Sequence, residues 1–262
     1  NVLVEGVTFQ GSPFWTVHPI LCRNVTLRRL TIRPGTTNDD GIDPESCQDV
    51  LIEHCDISTD DDAIAIKAGR DNDAWGTPPS RNIVVRKSVA EFNVAGIEIE
   101  NSYFADVHDN VATRNTGGIL VFDLPNLPQM GGHSIRVFNN RVVQNDTPNF
   151  APKGNIVASV PMGTGVMVMA NRNVHVFGNT IEDNASTGVM LIGYRQPFED
   201  KSYNPLIRDV AVRDNKYGRS GFAPAFPGGK ELAAAMGGML PPVFWDGTGT
   251  GVVVKDAPAL SL

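Results

Sequence analysis

The chain has 262 residues, 26 Gly, 18 Pro and a formal net charge of −7. That length suits one large domain or two small ones, and the Gly and Pro content suits many turns and few helices. The negative charge argues against a broad basic face for nucleic acid, and no apolar run has the length of a membrane span or the form of a signal peptide.

From its first residue the chain repeats a nine-residue phrase. It reads Asn1–Phe9, Asn24–Ile32 and Asp49–Ile57, and returns from Asn82, Phe104, Ser134, Asn173 and Asp209. Apolar residues recur at its second, fourth and often ninth positions, the alternation a half-buried strand needs. A unit this short cannot bury its apolar face alone and must stack on copies of itself. The expected fold is all-β: a single-stranded parallel β-helix of about eight coils, whose hand the spacing does not fix and for which the crossover rule favours a right-handed turn. Where two phrases lie far apart, the coil between them carries a loop: Gly69–Ser80, Leu124–Gly132, Thr147–Pro161 and Gln196–Pro205. A second strand is expected in most coils, at Ala63–Lys67, Gly96–Glu100, Gly118–Phe122, Gly165–Met169 and Gly188–Ile192. The Gly at or near the start of each lets the chain bend into the strand at low steric cost.

The seventh position of the phrase divides the chain. It holds Val7, Leu30, Cys55 and Ser88 in the first four coils and Asn110, Asn140, Asn179 and Asn215 in the last four. Stacked Asn side chains can hydrogen-bond along the axis as a ladder. After Ser220 the phrase fades. A short helix is expected at Lys230–Met236, one more strand at Gly251–Lys255, and a C-terminal cap over 223–262. The N-terminal coil shows no comparable cap, so self-association through it is one expectation for a partner. The chain opens inside a phrase and reads as a piece or mature form of something longer.

Three cysteines, Cys22, Cys47 and Cys55, make no disulfide framework and no metal spacing. Cys22 and Cys47 each precede a phrase by two residues and should stack one coil apart as small buried apolar groups. His18, His54, His108, His133 and His175 show no spacing for a metal or a triad. Met167, Met169 and Met190, beside Leu120 and Phe122, read as a covered sheet face or as an exposed apolar strip.

Acidic residues concentrate in coils two and three, in Asn38–Asp43 and Thr59–Lys67. Asp40 lies 21 and 22 residues before Asp61 and Asp62, close to one coil, so the three carboxylates should converge. At an interstrand spacing of about 4.8 Å they would raise one another's pKa. A protonated carboxyl beside ionised ones is what glycosidic hydrolysis needs, one group protonating the leaving oxygen while another activates water. The competing reading is that these Asp residues close turns by accepting backbone N–H groups. Calcium is a weaker reading of the same oxygens.

Residues 1 to about 88 resemble the polygalacturonases, pectin-cleaving glycoside hydrolases with a right-handed β-helix. The resemblance rests on Ser12–Pro19, Asn38–Asp43, Asp49–Glu53 and Asp61–Arg70, in order and spacing. It implies Asp61 as general acid and Asp40 and Asp62 as the groups that activate water in an inverting reaction on an acidic polysaccharide. Asp43, Lys67, Glu98 and Trp15 would line the substrate, with no metal and no cofactor. The family's Gly-His-Gly segment is absent, with Val94 standing where its His would fall, and its Arg-x-Lys segment has no counterpart. From about 82 to about 245 the chain resembles a second group, parallel β-helix proteins of uncertain function, on Val94–Tyr103, Asn115–Pro128 and Thr147–Pro152. The chain therefore reads as a mosaic, natural or engineered: polygalacturonase-like coils over 1–88, coils of the second group over 89–222, and the cap. The expected function is a scaffold that keeps a partial acidic site with little or no catalysis. Hydrolysis of α-1,4-galacturonan and plain polysaccharide binding are the alternatives. The parent families imply a secreted or periplasmic setting.

Overall fold

The computed structural model describes residues 1–68, 77–256 and 259–262. The expected loop Gly69–Ser80, and with it the Gly69–Arg70 end of one motif, lies largely outside the described residues. The coils stack into three parallel sheets, the third of which begins only in the third coil, and the chain is a right-handed parallel β-helix. The first sheet has nine strands, from Val2–Glu5 to Val253–Val254, and takes the first half of each phrase. The second has eight short strands, from Thr8–Phe9 to Lys216–Tyr217. The third has seven, from Ile64–Ile66 through Val243–Trp245 to Ala259–Ser261.

The core follows from the phrase. Its fourth position stacks Leu27 on Ile52, Val85, Val107, Val137, Val176 and Val212, coil upon coil. All are fully buried, and each such side chain contributes roughly 1.5–3 kcal/mol on leaving water. The first and sixth positions are corners. Asn24, Asp49, Asn82, Asn173 and Asp209 at the first all have φ between 52° and 58°, the left-handed region that Asn and Asp tolerate best.

The Asn ladder forms as expected. Asn140 Nδ2 donates to Asn179 Oδ1 at 3.0 Å and to the Val107 carbonyl at 2.9 Å, while its Oδ1 accepts from Asn110 N and Nδ2, both at 3.0 Å. A second ladder runs through Asn93, Asn115, Asn145 and Asn184 at the next corner. It lies five residues beyond the first in each coil, a spacing visible in the sequence that the phrase-based reading passed over.

The glycines that open the third-sheet strands have a different cause from the expected bend. Gly96, Gly118 and Gly165 have no left-handed φ; a Cβ on each would lie 2.4–2.6 Å from the carbonyl oxygen of the next coil. Close stacking of backbones fixes them as Gly. The tail resumes the coil: Val253–Val254 pairs with Ala211–Val212, and the expected helix runs Gly229–Ala235. Cys22, Cys47 and Cys55 are unbonded. Cys22 and Cys47 stack as expected, with the Cys22 N–H 3.4 Å from Cys47 Sγ.

The outer face of the third sheet changes character along the axis. One outward column runs Ala65, Glu98, Leu120, Met167, Met190 and Phe244. From Leu120 onward it is buried in a second apolar core together with Leu124, Val157 and Val160, against which Phe226 and Leu232 pack. Of the two expectations for the Met column, the loop-covered face is the one observed.

Candidate active site

The acids sit where the third sheet begins. Gly41, Ala63 and Gly96 open successive third-sheet segments, so the residues just before them stack: Asp40 with Asp62 and Ala95, and Asp39 with Asp61 and Val94. Carboxylate oxygens of Asp40, Asp61 and Asp62 all come within 4.8 Å of one another, and the three residues are 1–4% exposed.

The acids divide the work that the sequence left ambiguous. Asp39 closes turns, accepting from Gly35 N and Asp60 N. Asp62 Oδ1 accepts from Ala95 N at 2.9 Å. Asp61 has no such duty: Oδ2 accepts from the side-chain amide of Asn155 at 3.0 Å, and Oδ1 is buried without a hydrogen bond. Burial and the charge of Asp40 push the Asp61 carboxyl up to about 7. Burial, then Glu98, Asp40 and Asp61, hold Asp62 well above the usual carboxylate range. Burial does the same to Asp43.

Lys67 is the cation at the centre. Its Nζ lies 2.6 Å from Asp40 Oδ2 and 3.1 Å from Asp43 Oδ1, and 3.7 Å from the centre of the Trp15 ring. Phe14 stacks on Trp15 with centroids 4.9 Å apart, and His18 meets it edge-on. Trp15 is therefore engaged by Lys67 and Phe14, and Phe14, 51% exposed, is the outermost ring. A divalent cation among Asp40, Asp61 and Asp62 would have to compete with the ammonium of Lys67, which already pairs with Asp40. Glu98 is buried beside Asp62, one coil farther on.

Sequence reasoning missed Asn155. Its amide also lies 3.4 Å from Asn38 Oδ1, so the loop expected at Thr147–Pro161 crosses back over the acids. Asn149 braces that loop from within, donating to the carbonyls of Val157 and Val160 at 2.9 and 3.0 Å. The Leu124–Gly132 loop reaches Thr77, to whose carbonyl Gln129 donates. Val94, in the position of the missing His, gives Asp61 only a backbone bond, N to O at 2.7 Å.

Fold and site together define a parallel β-helix with a buried carboxylate cluster on its third sheet. The family model described as Glycosyl hydrolases family 28 matches residues 1–85, the coils that hold Asp40, Asp61 and Asp62. A probable polygalacturonase of Vitis vinifera is 36% identical over 91 residues, 33% of this chain and 18% of its own length. An endo-polygalacturonase of Pectobacterium carotovorum subsp. carotovorum is 35% identical over 128 residues, 46% of this chain and 30% of its own. The chain thus spans less than a third of the length of these curated relatives. Among solved structures, an exopolygalacturonase from Thermotoga maritima superposes with a TM-score of 0.50 at 23% identity, over 81% of this chain and 48% of that one. That likeness establishes the fold. Among the described residues, no helix is long and apolar enough to cross a membrane.

Proposed function

We propose that the first coils carry a glycoside-hydrolase site of the family 28 type for an acidic, galacturonan-like polysaccharide, held shut in this conformation so that the chain acts chiefly as a β-helix scaffold. The observation that carries this reading is the state of Asp61: buried, its pKa raised to about 7, one oxygen without a partner and the other capped by Asn155. In the open site, Asp61 would give its proton to the glycosidic oxygen as the C–O bond breaks. Asp40, ion-paired to Lys67, would take a proton from the water that adds to the sugar carbon. Asp62 suits a hydrogen-bonding role better than a basic one, because Glu98 and burial favour its neutral form. The carboxylate oxygens lie closer together than the about 6.5–9.5 Å that an interposed water ordinarily takes in inverting enzymes. The inverting outcome is therefore read directly, from the anomer first released.

The mosaic organisation remains part of this proposal. The family model ends at residue 85, and both Asn ladders begin just beyond it, at Asn93 and Asn110. The outer face of the third sheet turns from charged to apolar between Glu100 and Leu120. Coils 1–88 would supply the acids, and coils 89–222 the loops that cover them.

Reducing-end release from polygalacturonate tests the reading, with wild type, Asn155→Gly, and Asn155→Gly combined with Asp61→Asn. Wild type should release little, the single variant at least about tenfold more, and the double variant none above background. An opened variant no faster than its Asp61→Asn derivative would remove the hydrolytic reading and leave the scaffold.

A further inference from the structure

A second surface carries charge the acid cluster does not use. The residue just before each phrase opens the first-sheet strand, and these residues stack in one column: Arg81, Tyr103, His133, Arg172 and Arg208. None of the three arginines has a carboxylate at ion-pair distance among the described residues; Arg81 donates to Gln48 Oε1 at 3.4 Å, Arg208 acts on Asp123 through charge alone, and Arg208 Nε is buried without a hydrogen bond. In a chain of net charge −7, three arginines in one column without a carboxylate at ion-pair distance are not what solvation alone would place there.

Beside it runs the column Asn82, Phe104, Ser134 and Asn173, which with Arg136 lines a surface concavity of about 550 Å³. Arg136 is held by both oxygens of Asp106, and Asn173 Nδ2 donates to Ser134 Oγ at 3.0 Å. Phe104 departs from the pattern of this corner. Its φ is +55°, at a corner where Asn or Asp stands in the neighbouring coil and in most others, and its ring is 51% exposed. A bulky side chain in the left-handed region is unfavourable, and an exposed ring gains no core burial to offset it. His133 fixes the ring edge-on at 5.0 Å and stacks on Tyr103 at 4.6 Å.

We infer that this corner of the first sheet is a non-catalytic binding rail for an extended polyuronate lying along the helix axis. Coils repeat every about 4.8 Å, close to the length of one sugar unit, so carboxylates along an extended chain meet the guanidinium groups of Arg81, Arg172 and Arg208, with the rings of Tyr103 and His133 at the two steps between. Guanidinium groups match carboxylates in geometry and charge. Phe104 offers a flat apolar face to a sugar ring between the cations. A carboxylate on each sugar, with aliphatic ring faces, fits this combination better than a nucleic acid, which the net charge opposes.

The site is separate from the acid cluster, so its test stands apart from hydrolysis. Electrophoretic retention in gels containing polygalacturonate, compared with gels containing dextran, is measured for Asp61→Asn as the reference protein. Adding Arg81→Ala with Arg172→Ala, or Phe104→Asn, should each weaken retention about five- to tenfold, equivalent to about 1 to 1.4 kcal/mol. Arg172→Lys alone should weaken retention less than Arg172→Ala alone, since it keeps the charge but not the fork, and retention should fall with salt. Phe104→Asn places a residue suited to φ +55° and should leave thermal stability equal or higher, so lost retention there is not misfolding. Equal retention of reference and variants, equal retention in dextran, or displacement by a single-stranded DNA oligonucleotide at a lower charge concentration would overturn the rail.

Discussion

Asp61 and Asp62 are adjacent in the chain and share one electrostatic field, yet only Asp61 is spared from holding the backbone. The cost of that freedom is measurable through pH. Its pKa is raised to about 7 in the fold, against about 3.9 for an unperturbed Asp. Between those values the folded state binds one proton more than the unfolded state, so this group makes stability fall as pH rises from about 4 to about 7. Asp61→Asn keeps an acceptor for Asn155 and removes the titration. Its melting temperature should exceed that of wild type at pH 8 and approach it at pH 5, in scans at both pH values. A difference independent of pH would mean that Asp61 does not titrate in this range. The convergence of Asp40, Asp61 and Asp62 was legible because a separation of 21 or 22 residues is one coil. Asn155 was not, because its contact spans 94 residues through a loop, and loop paths leave no periodic signal.

Between residue and molecule, the coil corners decide how well the stack closes. Asn140 is fully satisfied: two donors and two acceptor bonds, all between 2.9 and 3.0 Å, in a site 1% exposed. Removing its amide leaves Asn110 N and the Val107 carbonyl without that partner in a dry corner, each about 1–3 kcal/mol. Asn140→Ala should therefore lose about 2–4 kcal/mol in urea unfolding, with Asn140→Asp no better, since a carboxylate cannot donate. A loss below about 1 kcal/mol would mean that water repairs the ladder. The first ladder could be read from the phrase because its Asn residues share the seventh position. The second lies outside the nine residues of the phrase, so a repeat defined by apolar alternation excluded it. The glycines of the third sheet were found for the wrong reason: the cause is contact with the next coil's carbonyl, which only stacking reveals.

At the scale of the whole molecule, contacts between the described strands run within a coil or to the coil above or below, and the stability of such a solenoid is a sum of nearest-neighbour terms. The loops that fold over the third sheet are the exception. Asn155 ties a distant loop to coils two and three, and Gln129 ties another to Thr77. These ties couple the acid-bearing coils to the ladder-bearing ones. Hydrogen exchange distinguishes the two contributions. The first strand, Val2–Glu5, is paired on one edge only, and Leu3 is 60% exposed; its amides should exchange fastest among the strands of the first sheet. The strands Tyr103–His108, His133–Phe138 and Arg172–Phe177, each paired on both edges and flanked by the Asn ladders, should exchange slowest. In Asn155→Gly, Ile64 and Ile66 should lose protection while Val137 and Val176 keep theirs. The loop tie acts on the acid-bearing coils, and a linear array transmits little beyond the next neighbour. Equal loss across all coils would instead show that the β-helix unfolds as one cooperative unit, with the loop tie holding the entire stack.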